Sequence, residues 1–194
     1  MVSKHAAAPG QAHMTAVKRI FCYLWGISDY KLTYQRDKAG ELVVYSDSDW
    51  AGDKTDRKSM SGFIAVLNGG PVVWGSKKQA STSLSSTEAE FIALMSATQE
   101  LIWLRGLLSF INYFSRTATL LLINNQGVIS LIKNGLSSKH SKHIKLYYYF
   151  ICEKFANRTI AAKYISTDEQ LANSLTKALT SIKFKKFVKG LGFA

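Results

Sequence analysis

The feature that most constrains the fold of this chain is the order in which strand-like and helix-like hydrophobic patterns follow one another along the sequence. Residues 41–79 contain three strand-like segments, and Asn68-Gly69-Gly70 predicts a hairpin turn between the last two. A long helical pattern begins at Ser85, and strand and helix patterns alternate after it. Antiparallel strands followed by alternating helices and strands predict an α/β fold, with a mixed sheet and helices packed on it.

The boundaries of the elements follow from the same patterns. Ser85 and Glu88 form a capping box, which predicts that the long helix begins there and extends to about residue 108. The other predicted helices cover residues 14–25, about 126–133, about 141–156, 169–179 and 181–190. The predicted strands cover residues 30–36, 41–50, 61–70, 71–79, 119–124 and 159–167.

The chain carries an excess of positive charge, with a formal net charge of +12 and a pI of about 9.7. Such an excess attracts polyanions, of which nucleic acid is the commonest, although a protein can also be merely basic. The lysines cluster, which favours nucleic acid. The residues that we expect to contact it are Lys77, Lys78, Lys139, Lys142, Lys145, Lys183, Lys185 and Lys186.

Cysteine content and hydropathy indicate where the protein works. Cys22 and Cys152 are the two cysteines of the chain and lie far apart, which suits a reducing compartment and gives no zinc-binding spacing. The first residues lack the apolar core of a signal peptide, and no apolar run has the length of a membrane span. We therefore expect an intracellular protein, cytoplasmic or nuclear and not secreted, with no membrane partner.

Two acidic residues occupy positions where charge is costly. Asp47 follows Val43 and Tyr45 on one face of the predicted strand, close to its end. Glu90 lies on the apolar stripe of the long helix, in line with Leu94. A carboxylate on such a stripe is unfavourable unless it is paired or bound to a metal. The alternative is that Glu90 turns to solvent near the helix start or pairs with a lysine.

Four segments of the chain carry recognisable motifs: "YSDSDWAGDKTDRKSMSGFIAVLNGGPVVWGSKKQASTSLSSTEAEFIAL", "NNQGVISLIKN", "KHIKLYYYFICEKF" and "STDEQLANSLTKAL". Together they resemble the ribonuclease H domain at the end of a copia-type retrotransposon polyprotein. The resemblance extends from about His13 to the C-terminus and implies a ribonuclease H-like fold, a five-stranded mixed sheet flanked by helices. It also implies a connection-like helix and strand over 13–40 and the ribonuclease H-like domain with its basic C-terminal helix over 41–194. We expect a flexible segment over 1–12, ahead of these.

The resemblance implies a chemistry and its residues. Such enzymes hydrolyse the RNA strand of an RNA–DNA hybrid with two Mg²⁺ (or Mn²⁺) ions, which four carboxylates hold roughly 4 Å apart. Matched motif by motif, the catalytic positions fall on Asp47, Glu90, Asn124 and Asn173. The family has aspartates at the last two positions. Asp47 and Glu90 are therefore the remaining metal ligands, and we expect metal binding to be weakened.

Other departures point the same way, because Tyr149 and Lys145 stand where copia-type chains tend to carry a histidine and an acid. The asparagines are either natural losses, which we favour, or deliberate substitutions. Three functions follow. The first is a module that holds RNA–DNA hybrid or other duplex nucleic acid with cleavage lost or weakened. The second is an active two-metal ribonuclease H that uses Asp47 and Glu90, with Asp49 either assisting metal binding or, as we favour, a solvated acid at the end of the strand. The third is a domesticated protein-interaction module.

Overall fold

The computed structural model of the chain describes residues 2–38, 41–113, 117–134 and 142–193. It divides into two compact units, with the boundary between Leu32 and Thr33. The first unit contains helix α1 (Gln11–Gly26), none of whose side chains is buried. The predicted divisions at residues 12 and 40 stay predictions.

The second unit is built on a five-stranded sheet with the strand order β3-β2-β1-β4-β5. The first three strands are antiparallel, whereas β4 is parallel to both β1 and β5. This arrangement confirms the predicted α/β class with a mixed sheet. The strands are β1 (Leu42–Asp49), β2 (Met60–Leu67), β3 (Gly70–Lys78), β4 (Thr119–Ile123) and β5 (Ile160–Tyr164). The helices are α2 (Ser86–Phe110), α3 (Gln126–Asn134), α4 (Lys142–Ala156), α5 (Asn173–Thr176) and α6 (Ser181–Gly190).

Two local signals position the sheet and its main helix. Asn68 and Gly69 join β2 to β3 with positive φ angles of 54° and 79°, the backbone of a two-residue hairpin turn. At the start of α2, the Ser85 hydroxyl accepts a hydrogen bond from the Glu88 amide at 3.1 Å. The Glu88 carboxylate accepts one from the amide of Leu84 at 2.8 Å. Both the predicted turn and the predicted helix start are confirmed.

Helix α2 forms the main core with one face of the sheet. Phe91, Leu94 and Leu101 are almost completely buried there, together with Val44 and Leu121 of the central strands.

By length and composition α2 is also the one helix, within the ranges that the structure describes, that could cross a membrane. The sequence prediction overlooked it, because Ser, Thr and Glu residues interrupt its apolar run. Its buried face is that of a core helix.

The opposite face of the sheet has a smaller core. Ile64 and Val66 alternate with the residues of β2 that face α2, and they pack with Ala172 and with Leu191 near the end of α6. Phe187 of α6 adds to this second cluster. The C-terminal helix predicted over 181–190 is therefore confirmed, and it covers the face that α2 leaves exposed.

Two sequence predictions are wrong. Residues 30–36 do not form a strand, because their amides bond to two separate segments: the Thr33 amide donates to the carbonyl of Gly192 and the Gln35 amide to the carbonyl of Asn68. The helix predicted over 169–179 is reduced to α5, Asn173–Thr176. The segment before Asn173 forms a turn and not a helix, because the side chain of Gln170 is hydrogen-bonded to the sheet.

Gly62 allows α5 to approach the sheet. This residue lies opposite Asp47 in the register of β1 and β2. A Cβ atom at position 62 would lie 2.7 Å from Thr176 Cγ2 and 2.9 Å from Leu175 Cβ. Cβ atoms in proteins do not approach other atoms this closely. Only a glycine at this position therefore allows α5 to lie beside the end of β1.

We predict that Gly62→Ala destabilises the domain by about 1–3 kcal/mol, because overpacking displaces α5 from the sheet. Urea unfolding at equilibrium measures the change. The matched control is Gly106→Ala in α2, where a new Cβ meets nothing within 4 Å. That substitution should be neutral or stabilise by up to about 1 kcal/mol, because alanine is the better helix former. Equal effects of the two substitutions would contradict the close approach.

Candidate active site

The site is centred on Asp47, whose side chain is fully buried at the end of β1. Its Oδ2 atom accepts a hydrogen bond from the hydroxyl of Thr176. Its Oδ1 atom accepts one from Nδ2 of Asn124, at 3.2 Å. The ammonium of Lys177 lies 3.5 Å from Oδ2 and forms an ion pair with it. Donors from the residue that follows β4 and from the segment around α5 therefore meet at one carboxylate.

Glu90 is the second acid of the site. It is 6% exposed in the first turns of α2, and its Oε2 atom is buried with no hydrogen-bond partner among the described residues. Burial, and then the negative charge of Asp47, raise the pKa of Glu90 to about 8. Burial also raises the pKa of Asp47, although Thr176, Lys177 and Asn124 oppose that shift. The two acids thus share a poorly solvated space.

The two asparagines predicted for the site both lie close to it. Asn124 follows β4, and because β4 is parallel to β1 the ends of the two strands meet at one edge of the sheet. Asn173 opens α5 and donates through Nδ2 to the carbonyl of Thr167 at 2.6 Å. The Oδ1 atoms of both asparagines are buried without a partner in the part of the chain that the structure describes.

The sequence prediction missed three residues that contact Asp47 or position its neighbours. Thr176 and Lys177 bind Asp47, and Gln170 fixes the segment that carries them. The Gln170 amide donates to the carbonyls of Ser46, at 3.0 Å, and Leu122, at 3.2 Å, and so joins the two parallel strands. All three missed residues lie in "EQLANSLTKAL" around Asn173, so the motif marked the segment but not these roles.

Comparison with known proteins decides the family. No family model matches the chain. The chain is 34% identical to the Pol polyprotein of transposon RE2 of Arabidopsis thaliana over 191 residues, which are 98% of this chain and 13% of that protein. This chain belongs to the retrotransposon Pol polyproteins, and its fold is that of a ribonuclease H-like domain. It spans about one eighth of the length of the curated polyproteins that it matches.

Two further comparisons concern parts of this ribonuclease H domain. A segment of 104 residues, 54% of the chain, is 48% identical to secreted RxLR effector protein 161 of Plasmopara viticola and covers 73% of it. Among solved structures, LC11-RNase H1 in complex with an RNA/DNA hybrid superposes with a TM-score of 0.52 at 14% identity. That match covers 70% of this chain and 93% of the other, and it shows a shared fold.

The lysines predicted to bind nucleic acid lie on different surfaces of the ribonuclease H domain. Lys145 is on α4, which packs on the α2 side of the sheet, whereas Lys183, Lys185 and Lys186 are on α6 at the opposite face. Lys183 is paired with Asp168 at 2.8 Å. Lys139 lies outside the described residues, as does the side chain of Lys142.

The pair Lys77 and Lys78 ends β3 at the same end of the sheet as Asp47, but Lys77 is on the face that packs against α2, opposite to the face of Asp47. Lys77 and Ser48 both pair with Ser61, so Lys77 lies level with the end of β1 two strands away. Lys77 is exposed. Lys78 instead forms ion pairs with Asp53 and, at 2.8 Å, with Asp56, which leaves less of its charge for a ligand. The predicted contact of Lys78 with nucleic acid stays a prediction.

The family's pair of divalent ions does not fit the described residues. Such a pair needs several open anionic oxygens, and here two carboxylates remain. Both oxygens of Asp47 already accept hydrogen bonds, and the Lys177 ammonium repels a second cation beside Oδ2. Within the described ranges no three His, Cys, Asp or Glu side chains group as a metal site would require. Asp49, half-buried at the end of β1, does not complete one.

We predict that the stability of the domain falls as pH rises from about 5 to about 8. The pKa of Glu90 is 4.5 in a solvated chain and about 8 in the fold. Between these values the folded state keeps a proton that the unfolded state has lost, so each unit of rising pH lowers the free energy of unfolding by up to about 1.4 kcal/mol. Urea unfolding across this range measures the slope.

The variant Glu90→Gln should flatten the pH dependence and be more stable than the parent above about pH 8, because the amide never ionises. Glu100→Gln is the matched control, since Glu100 is exposed on the same helix. The control should leave the slope unchanged. A parent whose stability is constant across the range, or rises, would contradict the burial of an acid at position 90.

Proposed function

We propose that this ribonuclease H domain binds RNA–DNA hybrid or other duplex nucleic acid, and that its hydrolysis of the RNA strand is lost or weak. The net charge of +12 supports a polyanionic partner. A protein of the same fold, LC11-RNase H1, has been solved in complex with an RNA/DNA hybrid, which supports the class of partner. An intracellular location, cytoplasmic or nuclear, is part of this proposal.

One observation carries the proposed loss of hydrolysis. At the position where the family has a third carboxylate, Asn124 donates a hydrogen bond to Asp47 at 3.2 Å. A carboxylate would instead repel Asp47 and attract a cation into the space between them. The substitution turns a place for a metal ligand into a donor for the remaining acid. Asn173 removes a second charge and is bonded to the backbone of Thr167.

Lys77 is the lysine whose position best supports nucleic-acid binding at this site. It is exposed and lies level with Ser48, the neighbour of Asp47, across two strand spacings of about 4.8 Å each. A duplex phosphate over the end of β1 would therefore come within reach of its ammonium. Lys185 and Lys186 on α6 supply charge on the other face.

We predict that a labelled RNA–DNA hybrid binds with an affinity that falls linearly with salt on a double-logarithmic plot, because each phosphate contact releases counterions. Lys77→Ala should reduce the slope by about 0.9, the amount expected for one lost contact. Fluorescence anisotropy at several salt concentrations measures both quantities.

The control for this experiment is Lys18→Ala, which removes the same charge from the exposed surface of α1. It should leave the slope unchanged. Affinity that is independent of salt, or equal changes of slope in both variants, would contradict a phosphate contact at Lys77. Absence of binding at low salt would contradict the proposed function as a whole and favour the protein-interaction alternative.

The active enzyme is the second candidate, and a specific observation favours it. Asp47 and Glu90 lie close enough for their charges to interact, and buried oxygens of Glu90, Asn124 and Asn173 have no partner among the described residues. These oxygens could still coordinate one weakly held cation. Residual cleavage would then depend on Asp47 and would be stronger with Mn²⁺ than in its absence.

We predict negligible cleavage of the hybrid by the parent in Mg²⁺ or Mn²⁺, and measurable cleavage by the double variant Asn124→Asp/Asn173→Asp. Each change adds a carboxylate at a position where the family has one. Asn124→Asp should matter more, because Asn124 contacts Asp47 directly, whereas Asn173 contacts the backbone of Thr167. Gel electrophoresis of an end-labelled hybrid at equal protein concentrations measures the products.

Asp47→Asn in the double-variant background is the control, and it should abolish the recovered cleavage. Robust cleavage by the parent that is lost on Asp47→Asn would overturn the proposed loss of activity in favour of the enzyme. A folded double variant that does not cleave would show that the asparagines alone do not account for the loss.

A further inference from the structure

We propose that the Lys177 ammonium is the built-in counter-ion of the Asp47–Glu90 pair, so that this ribonuclease H domain is stable at its acidic site without a divalent cation. The inference concerns the protein without nucleic acid. It therefore stands or falls independently of the proposed binding function.

The geometry places the positive charge of Lys177 beside the buried acid. Its Nζ atom lies 3.5 Å from Oδ2 of Asp47, which has no contact with solvent. Its positive charge also acts on Glu90, against the effects of burial and of Asp47. A buried acid without a nearby cation is costly, and breaking a buried ion pair by removing one partner is strongly destabilising.

The surrounding chain is built to hold the ammonium in this place. Thr176, next to Lys177, is tied to Asp47 through its hydroxyl. Helix α5 ends at Thr176, and Lys177 adopts an extended backbone with φ −143° and ψ 157°, which ends the helix beside the acid. Gln170 bonds this segment to β1, and the missing side chain of Gly62 lets the segment pack closely against β2. The side chain of Lys177 is 35% exposed, so the ion pair lies at the rim of the buried site.

Hydrogen bonds alone do not account for the balance of charge. Asn124 and Thr176 are neutral donors, and they stabilise the carboxylate of Asp47 without cancelling its charge. Lys177 is the cation that the described ion pairs place at Asp47. If it were removed, the space beside Asp47 would again attract a cation, and the unpartnered oxygens of Glu90 and Asn124 would be available to it.

The test compares thermal unfolding of the parent, Lys177→Met and the control Lys185→Met, each in EDTA and in excess MgCl₂ or MnCl₂. Lys185 is exposed on α6, so its substitution removes an equal charge without touching the site. We expect the melting temperature of the parent and of the control to be the same with and without divalent cation. Lys177→Met should melt about 4 °C or more below the control in EDTA and recover part of the difference in MgCl₂ or MnCl₂.

Two more variants separate a charge effect from a packing effect. Lys177→Arg keeps the charge and should retain most of the stability. In the background Asp47→Asn, the substitution Lys177→Met should cost much less than in the parent, because the charge that Lys177 balances is gone. This comparison also applies if Lys177→Met alone does not fold, since the double variant should then fold.

Three results would overturn the inference. The first is a melting temperature of Lys177→Met equal to that of Lys185→Met. The second is that Lys177→Met lowers the melting temperature by the same amount in the parent and in the Asp47→Asn background. A double variant Asp47→Asn/Lys177→Met that does not fold, although Asp47→Asn alone folds, would count in the same way. The third is stabilisation of the parent by divalent cation as large as that of Lys177→Met, because Lys177 would then not replace the metal.

Discussion

The hydrogen bonds and the ion pair that surround the buried carboxylate of Asp47 are the constraint on which the site depends. A charge without solvent contact must find donors within the protein. Here they come from Asn124, which is 77 residues away in sequence, and from Thr176, which is 129 residues away. The parallel pairing of β1 with β4 and the position of α5 are therefore coupled to one side chain. The site and the fold at this edge of the sheet stabilise each other.

The two faces of the sheet contribute differently to this edge. Helix α2 forms the main core and places Glu90 beside β1. On the other face, the segment before α6 is held by Gln170, which donates to the carbonyls of both parallel strands. The small core around Ile64 and Val66 then fixes α6. A rigid apolar face thus positions one acid, and a network of polar contacts positions the groups that neutralise the other.

An asparagine in place of an aspartate changes more than charge. A carboxylate accepts hydrogen bonds, whereas a carboxamide also donates them, so Asn124 stabilises Asp47 instead of repelling it. The inferred role of Lys177 fits this change, because an acid already neutralised within the protein has little need of an external cation. Under the proposed function, the absence of two negative charges favours stability of the protein without metal over hydrolysis.

Local patterns in the sequence were enough for the class of fold and for much of its detail. The Asn68-Gly69 turn and the Ser85 cap are encoded within a few residues, because backbone conformation and hydrogen bonds there depend on near neighbours. Family motifs pointed to Asp47, Glu90, Asn124 and Asn173, and the structure brings them to one region. The strand predicted over 30–36 and the long helix predicted over 169–179 were wrong, since tertiary hydrogen bonds outweighed local preference there.

By itself, the sequence determined the mixed α/β architecture, the acids at positions 47 and 90, and the missing charges at positions 124 and 173. Only the tertiary structure decided what surrounds those acids. It showed that Thr176 and Lys177 reach Asp47, and that the predicted lysines are divided between opposite faces of the sheet. The physical reason is that burial and ion pairing depend on which distant segments pack together. No periodicity within one segment records that.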